Sequence, residues 1–79
     1  MHIVITEKEV VLTKQEYQSF REIQNDFFDY VTSLGPWTAE EIVVYLETEY
    51  PKIAPSAKEQ VEALIKSGHF EVILKELGE

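Results

Sequence analysis

Three times the chain sets a hydroxyl residue three positions ahead of a glutamate, each time at the head of a patterned apolar segment. The three are Thr13-Lys14-Gln15-Glu16, Thr38-Ala39-Glu40-Glu41 and Ser56-Ala57-Lys58-Glu59. In such a capping box the hydroxyl accepts from the amide three residues on, and the glutamate reaches back to the amide of the cap. Two of the three add an apolar pair across the cap, Leu12 with Tyr17 and Trp37 with Ile42; the third has Pro55 and Gln60 in those places. Three boxes predict three helix starts. With 79 residues there is room for one small domain, and three helices use most of it.

The first helix is expected over Lys14–Ser33. At 100° per residue, Tyr17, Phe20, Ile23, Phe27, Phe28, Tyr30, Val31 and Leu34 fall on one arc of roughly 160°. An arc that wide needs neighbours on two sides, which makes this helix the expected central element, with Phe27 in mid-core. Gly35-Pro36 would end it. The second helix is expected over Ala39–Glu49, with Ile42, Val43, Leu46 and Tyr50 buried, Tyr45 at the edge, and Tyr50-Pro51 as the stop. Ile53, in the connection that follows, is expected to drop into the core. The third helix is expected over Ala57–Ser67, with Val61, Leu64 and Ile65 inward and Gly68 as its C-terminal cap.

The ends are less helical. His2–Ile5 and Glu9–Leu12 are rich in β-branched residues and flank Thr6-Glu7-Lys8, which suggests a short hairpin. The tail, His69–Leu77, reads two ways. Phe70, Ile73, Leu74 and Leu77 follow a helical spacing; Phe70, Val72 and Leu74 alternate as in a strand, and a lone hairpin would gain from a third strand. The Glu, Leu and Lys content of the second half favours helix. The expected fold is therefore mainly α (α+β): a trihelical, helix-turn-helix-like core, a short N-terminal β-hairpin, and a C-terminal segment that is helix by preference or strand.

Residues 38–73 carry a Thr-capped AEEI helix, a Tyr-Pro break, a Ser-started second helix ending Leu-Ile-x-x-Gly, and an apolar run. In this they resemble the helix-turn-helix half of winged-helix domains of the ferric-uptake-regulator type. The resemblance implies a trihelical core. It also implies, as one reading, a DNA-binding transcription regulator whose second helix enters the major groove. The positions that would then face DNA read Lys58, Glu59, Gln60 and Glu62.

Charge points elsewhere. Fifteen acids against seven Lys and Arg leave a formal net charge of −8. The basic residues, Lys8, Lys14, Arg21, Lys52, Lys58, Lys66 and Lys75, are scattered, whereas nucleic-acid binding needs them gathered against phosphates. Nucleic acid is thus an improbable partner. A basic protein is the favoured one, met by an acidic surface made of Glu22, Asp26 and Asp29 on the first helix and Glu40, Glu47 and Glu49 on the second. Such a domain would be a regulator or a nucleic-acid mimic, acting as a monomer or homodimer.

Other chemistry finds little footing. There is no Cys, which removes disulfides and thiolate metal sites. His2 and His69 sit near opposite ends and read as a flexible terminal residue and a helix-boundary residue. Glu40/Glu41 and Asp26/Asp29 read as solvated faces. Ser56 reads as a cap. Trp37 reads first as the partner of Ile42 across its cap and second as an interface anchor. A chain of this size buries only roughly 60% of its unfolded surface, too little for a deep pocket, so an enzyme is not expected, nor a cofactor or metal. No apolar run approaches the ~18 residues of a membrane span, and the opening MHIVITEKEVV has the early acids of a cytoplasmic protein rather than the basic start of a signal peptide.

Overall fold

The computed structural model describes residues 1–75. Its elements run β1 (His2–Thr6), β2 (Val10–Thr13), α1 (Phe20–Asp26), β3 (Tyr30–Leu34), α2 (Ala39–Glu49), α3 (Ala57–Lys66) and β4 (Glu71–Ile73). The four strands form one antiparallel sheet in the order β3-β1-β2-β4. The fold is α+β, built on a sheet, and the expected mainly helical, trihelical core is not what forms.

The hairpin of β1 and β2 is the centre. Ile3 lies opposite Leu12 and Val4 opposite Val11. Because side chains alternate across a strand, Ile3 and Leu12 share one face, and Val4 and Val11 the other. All four are buried, so the two strands are covered on both sides. The turn does without Asn-Gly because Thr6 organises it. Its Oγ1 accepts from the amides of Lys8 (3.3 Å) and Glu9 (3.1 Å) and donates to the Glu9 carbonyl (3.1 Å).

Helices α2 and α3 cover the first face. Ile42, Leu46, Ala57, Val61 and Leu64 join Ile3, Val10, Leu12 and Leu74 in the larger core, with Trp37, Val43, Tyr50 and Ile53 packed at its margin. The second box forms in full: the Glu41 amide donates to Thr38 Oγ1 at 3.1 Å, and the Thr38 amide to Glu41 Oε1 at 2.9 Å. The third is partly inverted. Ser56 Oγ accepts from the Glu59 amide at 3.2 Å, yet donates to the Glu59 carboxylate at 3.1 Å. Ser67, rather than Gly68, closes α3, its hydroxyl donating to the Leu64 carbonyl at 2.8 Å and accepting from the His69 amide at 3.2 Å. Gln60, a position that would face DNA in the helix-turn-helix resemblance, is buried. Its Nε2 donates to the carbonyls of Pro55 and Lys75, and its Oε1 accepts from the Lys75 amide, which pins the chain leaving β4 to α3.

The expected helix over Lys14–Ser33 is the main correction. Its first six residues are not helical, seven residues form α1, and its last stretch is the edge strand β3. Thr13 is the end of β2, not a helix cap: its Oγ1 accepts from the Gln15 amide at 3.0 Å and donates to the Phe70 carbonyl at 3.3 Å. Leu12 and Tyr17 belong to opposite sides of the sheet rather than to one cap. The wide arc merged a one-sided helix with a strand. Phe27, Tyr30, Val31 and Thr32 are aromatic or β-branched and suit a pleated surface, and β1 offers an unpaired edge for them. Register shifts between Ile5 and Thr6, which face Thr32 and Tyr30. Of the arc, Ile23 is buried, whereas Phe27 is only half-buried and Phe20, Phe28 and Val31 are exposed.

The tail takes the strand alternative. Val72 lies opposite Leu12 and packs on the larger core, and Leu74 is buried there, while Phe70 and Ile73 are exposed. Alternation decides the segment because β2 had an open edge. Leu77, part of the helical spacing, lies outside the described residues.

Candidate functional site

The acids singled out from the sequence fall into two groups on opposite sides of the sheet. Helix α1 lies with Val4 and Val11, through Ile23; α2 lies with Ile3 and Leu12, through Ile42 and Leu46. Glu22, Asp26 and Asp29 therefore do not join Glu40, Glu47 and Glu49 in one continuous surface.

The α1 acids are also engaged locally. Glu22 Oε1 accepts from the Gln18 amide at 2.9 Å, ahead of the helix start. Asp26 Oδ2 accepts from the Tyr17 hydroxyl at 2.7 Å. Burial, with this carboxylate beside it, raises the Tyr17 pKa well above its ordinary 10.0. Asp29 is half-buried in the turn before β3, and its carbonyl accepts from the Glu7 amide. Glu22 and Asp26 are thus tied to the segment that covers the second side of the sheet, while Asp29 is held through its backbone carbonyl.

The α2 group differs. Glu40, Glu41, Glu47 and Glu49 are all exposed, and the helix Ala39–Glu49 carries no Lys or Arg. Only Glu41 has a structural task, at the cap. Two shallow, mostly apolar depressions adjoin Glu40 and Glu41. One, of about 450 Å³, is lined by Trp37, Glu40, Glu41, Val44 and Tyr45. The other, of about 370 Å³, lies between α2 and α3, with Ala39, Val43, Val44, Val61 and Ile65 in its wall and Glu40, Lys58 and Glu62 on it. Glu40 and Val44 belong to both, so the two adjoin along α2. Val44 is 62% exposed and Ile65 47%, so the expected inward placing of Ile65 does not hold. The Trp37 ring tilts over Tyr45, with centroids 5.4 Å apart, and packs on the core that contains Ile42. It serves the core while presenting an edge to the first depression. The sequence signal missed here was Val44, a valine among acids on the outer side of α2.

His2 is neither terminal in behaviour nor flexible. It is buried at 6% exposure in β1, edge-on to Tyr17 at 5.7 Å. Burial first, then the amino group at Met1, hold its imidazole below its ordinary 6.5, against a backbone hydrogen bond at Gln15. Its Nδ1 is buried without a hydrogen-bond partner. The cleft beside it, about 290 Å³, is lined by Tyr17, Ser19, Phe20, Tyr30 and Ser33 among others. His69 is exposed after α3. Among the described residues no three His, Cys, Asp or Glu are grouped to hold a metal ion, and no helix is long and apolar enough to cross a membrane.

Comparison with protein-family models, curated proteins and solved structures finds no match to this chain.

Proposed function

We propose that this protein is a small cytoplasmic interaction domain that acts by binding, not catalysis, and recognises a basic partner protein through the outer side of α2. The observation that carries the reading is the run of exposed glutamates Glu40, Glu41, Glu47 and Glu49 on a helix without a cation. A one-signed surface raises the local potential and speeds encounter with an opposite charge, and salt screens it. Where the partner's basic surface is itself a nucleic-acid site, the domain acts as a mimic of phosphate charge and regulates that partner.

The test changes Glu40, Glu47 and Glu49 to Gln together and leaves Glu41 at its cap. A partner captured by affinity from the source organism is titrated with parent and variant over a range of salt. The variant stays folded, binds more weakly and loses much of the salt dependence. Equal affinity at low salt would make the acids merely solubilising. Tight binding of the parent to mixed-sequence duplex DNA at near-physiological salt would instead favour the winged-helix regulator.

A further inference from the structure

We propose that the two adjoining depressions lined by Trp37, Tyr45, Val44, Val43 and Ile65 form an apolar strip that seats an amphipathic helix of a partner protein, one whose apolar stripe is flanked by lysine or arginine. This rests on the reading of the α2 acids above and assigns the partner's shape and chemistry.

Two depressions that share Val44 and Glu40 run from Trp37 across α2 to Ile65 on α3. Their walls are side chains of α2 and α3, with Trp37 just ahead of α2, and beyond the first turns the backbone groups of each helix are committed within it. No sheet edge is offered here, so an extended strand would find no ladder to join. A helix needs none, because its backbone is satisfied internally, and side-chain ridges fit the groove between two packed helices. On α2 the strip takes in residues 39–45, about 10 Å of helix, so about two turns of partner helix cover that part of it. Val44 and Ile65 offer the anchors' contacts, and Trp37 adds an aromatic edge of the kind that dominates interface energies.

Charge selects the occupant. Glu40, Glu41 and Glu62 stand on the strip, and among the described residues Lys58 is the one cation in its walls. A second copy of this chain would bring a further −8 against these acids. A helix with basic flanks places its cations over them while its apolar stripe covers Val44.

Three synthetic peptides of about 14 residues, roughly four turns, test the proposal. The first has Leu at i, i+3, i+4 and i+7 and Lys elsewhere. The second keeps the Leu pattern with Glu in place of Lys. The third keeps Lys and replaces Leu by Ser. Binding is followed by the fluorescence of Trp37, the single tryptophan, and by methyl shifts of Val44 and Ile65. The Leu/Lys peptide binds best and moves these methyl signals. The double variant Val44→Ser, Ile65→Ser weakens it by about ten-fold, the scale of a lost interface anchor. Val44 is mostly exposed and Ile65 about half, and a circular-dichroism melt checks that the variant folds. Unchanged affinity in that variant overturns the strip while leaving the acidic reading standing. If both Lys peptides bind no better than the Leu/Glu peptide, the acidic reading falls with it. Equal binding of the Leu/Lys and Leu/Glu peptides, lost in the double variant, overturns the basic flank. A parent dimer in sedimentation that the double variant abolishes gives the strip to a second copy and overturns the partner helix.

Discussion

On one side of the β1–β2 hairpin, Ile3, Val10 and Leu12 lie under two helices that add Ile42, Leu46, Ala57, Val61 and Leu64. On the other side, Val4 and Val11 lie under a seven-residue helix that adds Ile23, with Tyr17, Phe27 and Tyr30 half-buried around it. The same two strands thus separate a thick apolar layer from a thin one. Stability in so small a domain rests on the apolar area buried, so the thick side holds the fold. The thin side closes it with polar contacts such as Tyr17 to Asp26 and leaves large side chains in water. The difference also fits the engagement of Glu22 and Asp26 in local hydrogen bonds, while Glu40, Glu47 and Glu49 of α2 stand exposed. The thick layer is already sealed beneath α2.

The largest expected effect breaks the thick side. Leu46 has no solvent exposure, and Leu46→Ala leaves a cavity among β1, β2, α2 and α3. The loss is about 2–5 kcal/mol, close to the whole stability of a domain this size. Phe27→Ala, on the thin side, removes a half-buried ring whose site opens to solvent, and should cost less than half as much in urea denaturation. Equal losses would mean that the two layers contribute alike.

Next comes the entry to that thick layer. Thr38→Ala removes the acceptor of the Glu41 amide and should destabilise the domain by ~1 kcal/mol. Thr48→Ala, late in the same helix, removes only a hydroxyl that donates back to the Val44 carbonyl and should change the melting midpoint much less.

The contrast between these helices is also the contrast between what could and could not be read in advance. Helix α2 announces itself locally: Thr38 and Glu41 begin it, Trp37 packs beside its first turn, and Tyr50-Pro51 ends it. Every signal lies within about four residues of the feature it sets. The span over Lys14–Ser33 has no such punctuation inside it, and a 3.6-residue period fitted across it joined α1 to β3. What makes Tyr30–Leu34 a strand is the free edge of β1, more than twenty residues earlier, and no local pattern carries that. The tail is the same problem in reverse, with the alternation of Val72 and Leu74 visible but its partner β2 about sixty residues away. For the site, the acids of α2 and their lack of cations were legible. Their separation from Glu22, Asp26 and Asp29 was not, because it depends on the strand alternation that puts Val4 and Ile3 on opposite faces.

The pH dependence of stability tests the thin side. Burial lowers the His2 pKa below 6.5 in the folded chain, whereas the unfolded chain keeps the ordinary value. Between those two values the unfolded state binds more protons than the folded one, so stability rises with pH there. The contribution of neutral His2 is complete above pH 6.5 and is lost as pH falls from 6.5 through the folded pKa. His2→Phe, a ring that cannot charge, should flatten this limb of a pH series of urea midpoints. A limb of unchanged slope in the variant would place its origin in the carboxylates.

The smallest effect is expected at a side chain that the helical reading places on the apolar arc. Phe28 sits in the turn between α1 and β3 and is 94% exposed. Phe28→Ser removes a large apolar group that the folded chain does not bury, so no cavity forms and no transfer free energy is lost. The change in stability should stay within about 0.5 kcal/mol, and solubility should rise, since an exposed ring is removed. The measurement is a urea midpoint beside that of Phe27→Ala, the adjoining residue with a half-buried ring. If Phe28→Ser unfolds the domain as Leu46→Ala does, the ring is inside, and the thin layer is as thick as its opposite. If stability holds but a self-associated species disappears in sedimentation, Phe28 marks a contact between copies on the thin side. That contact would lie across the sheet from the strip on α2, and the two sides would then differ in what they bind as well as in how they pack.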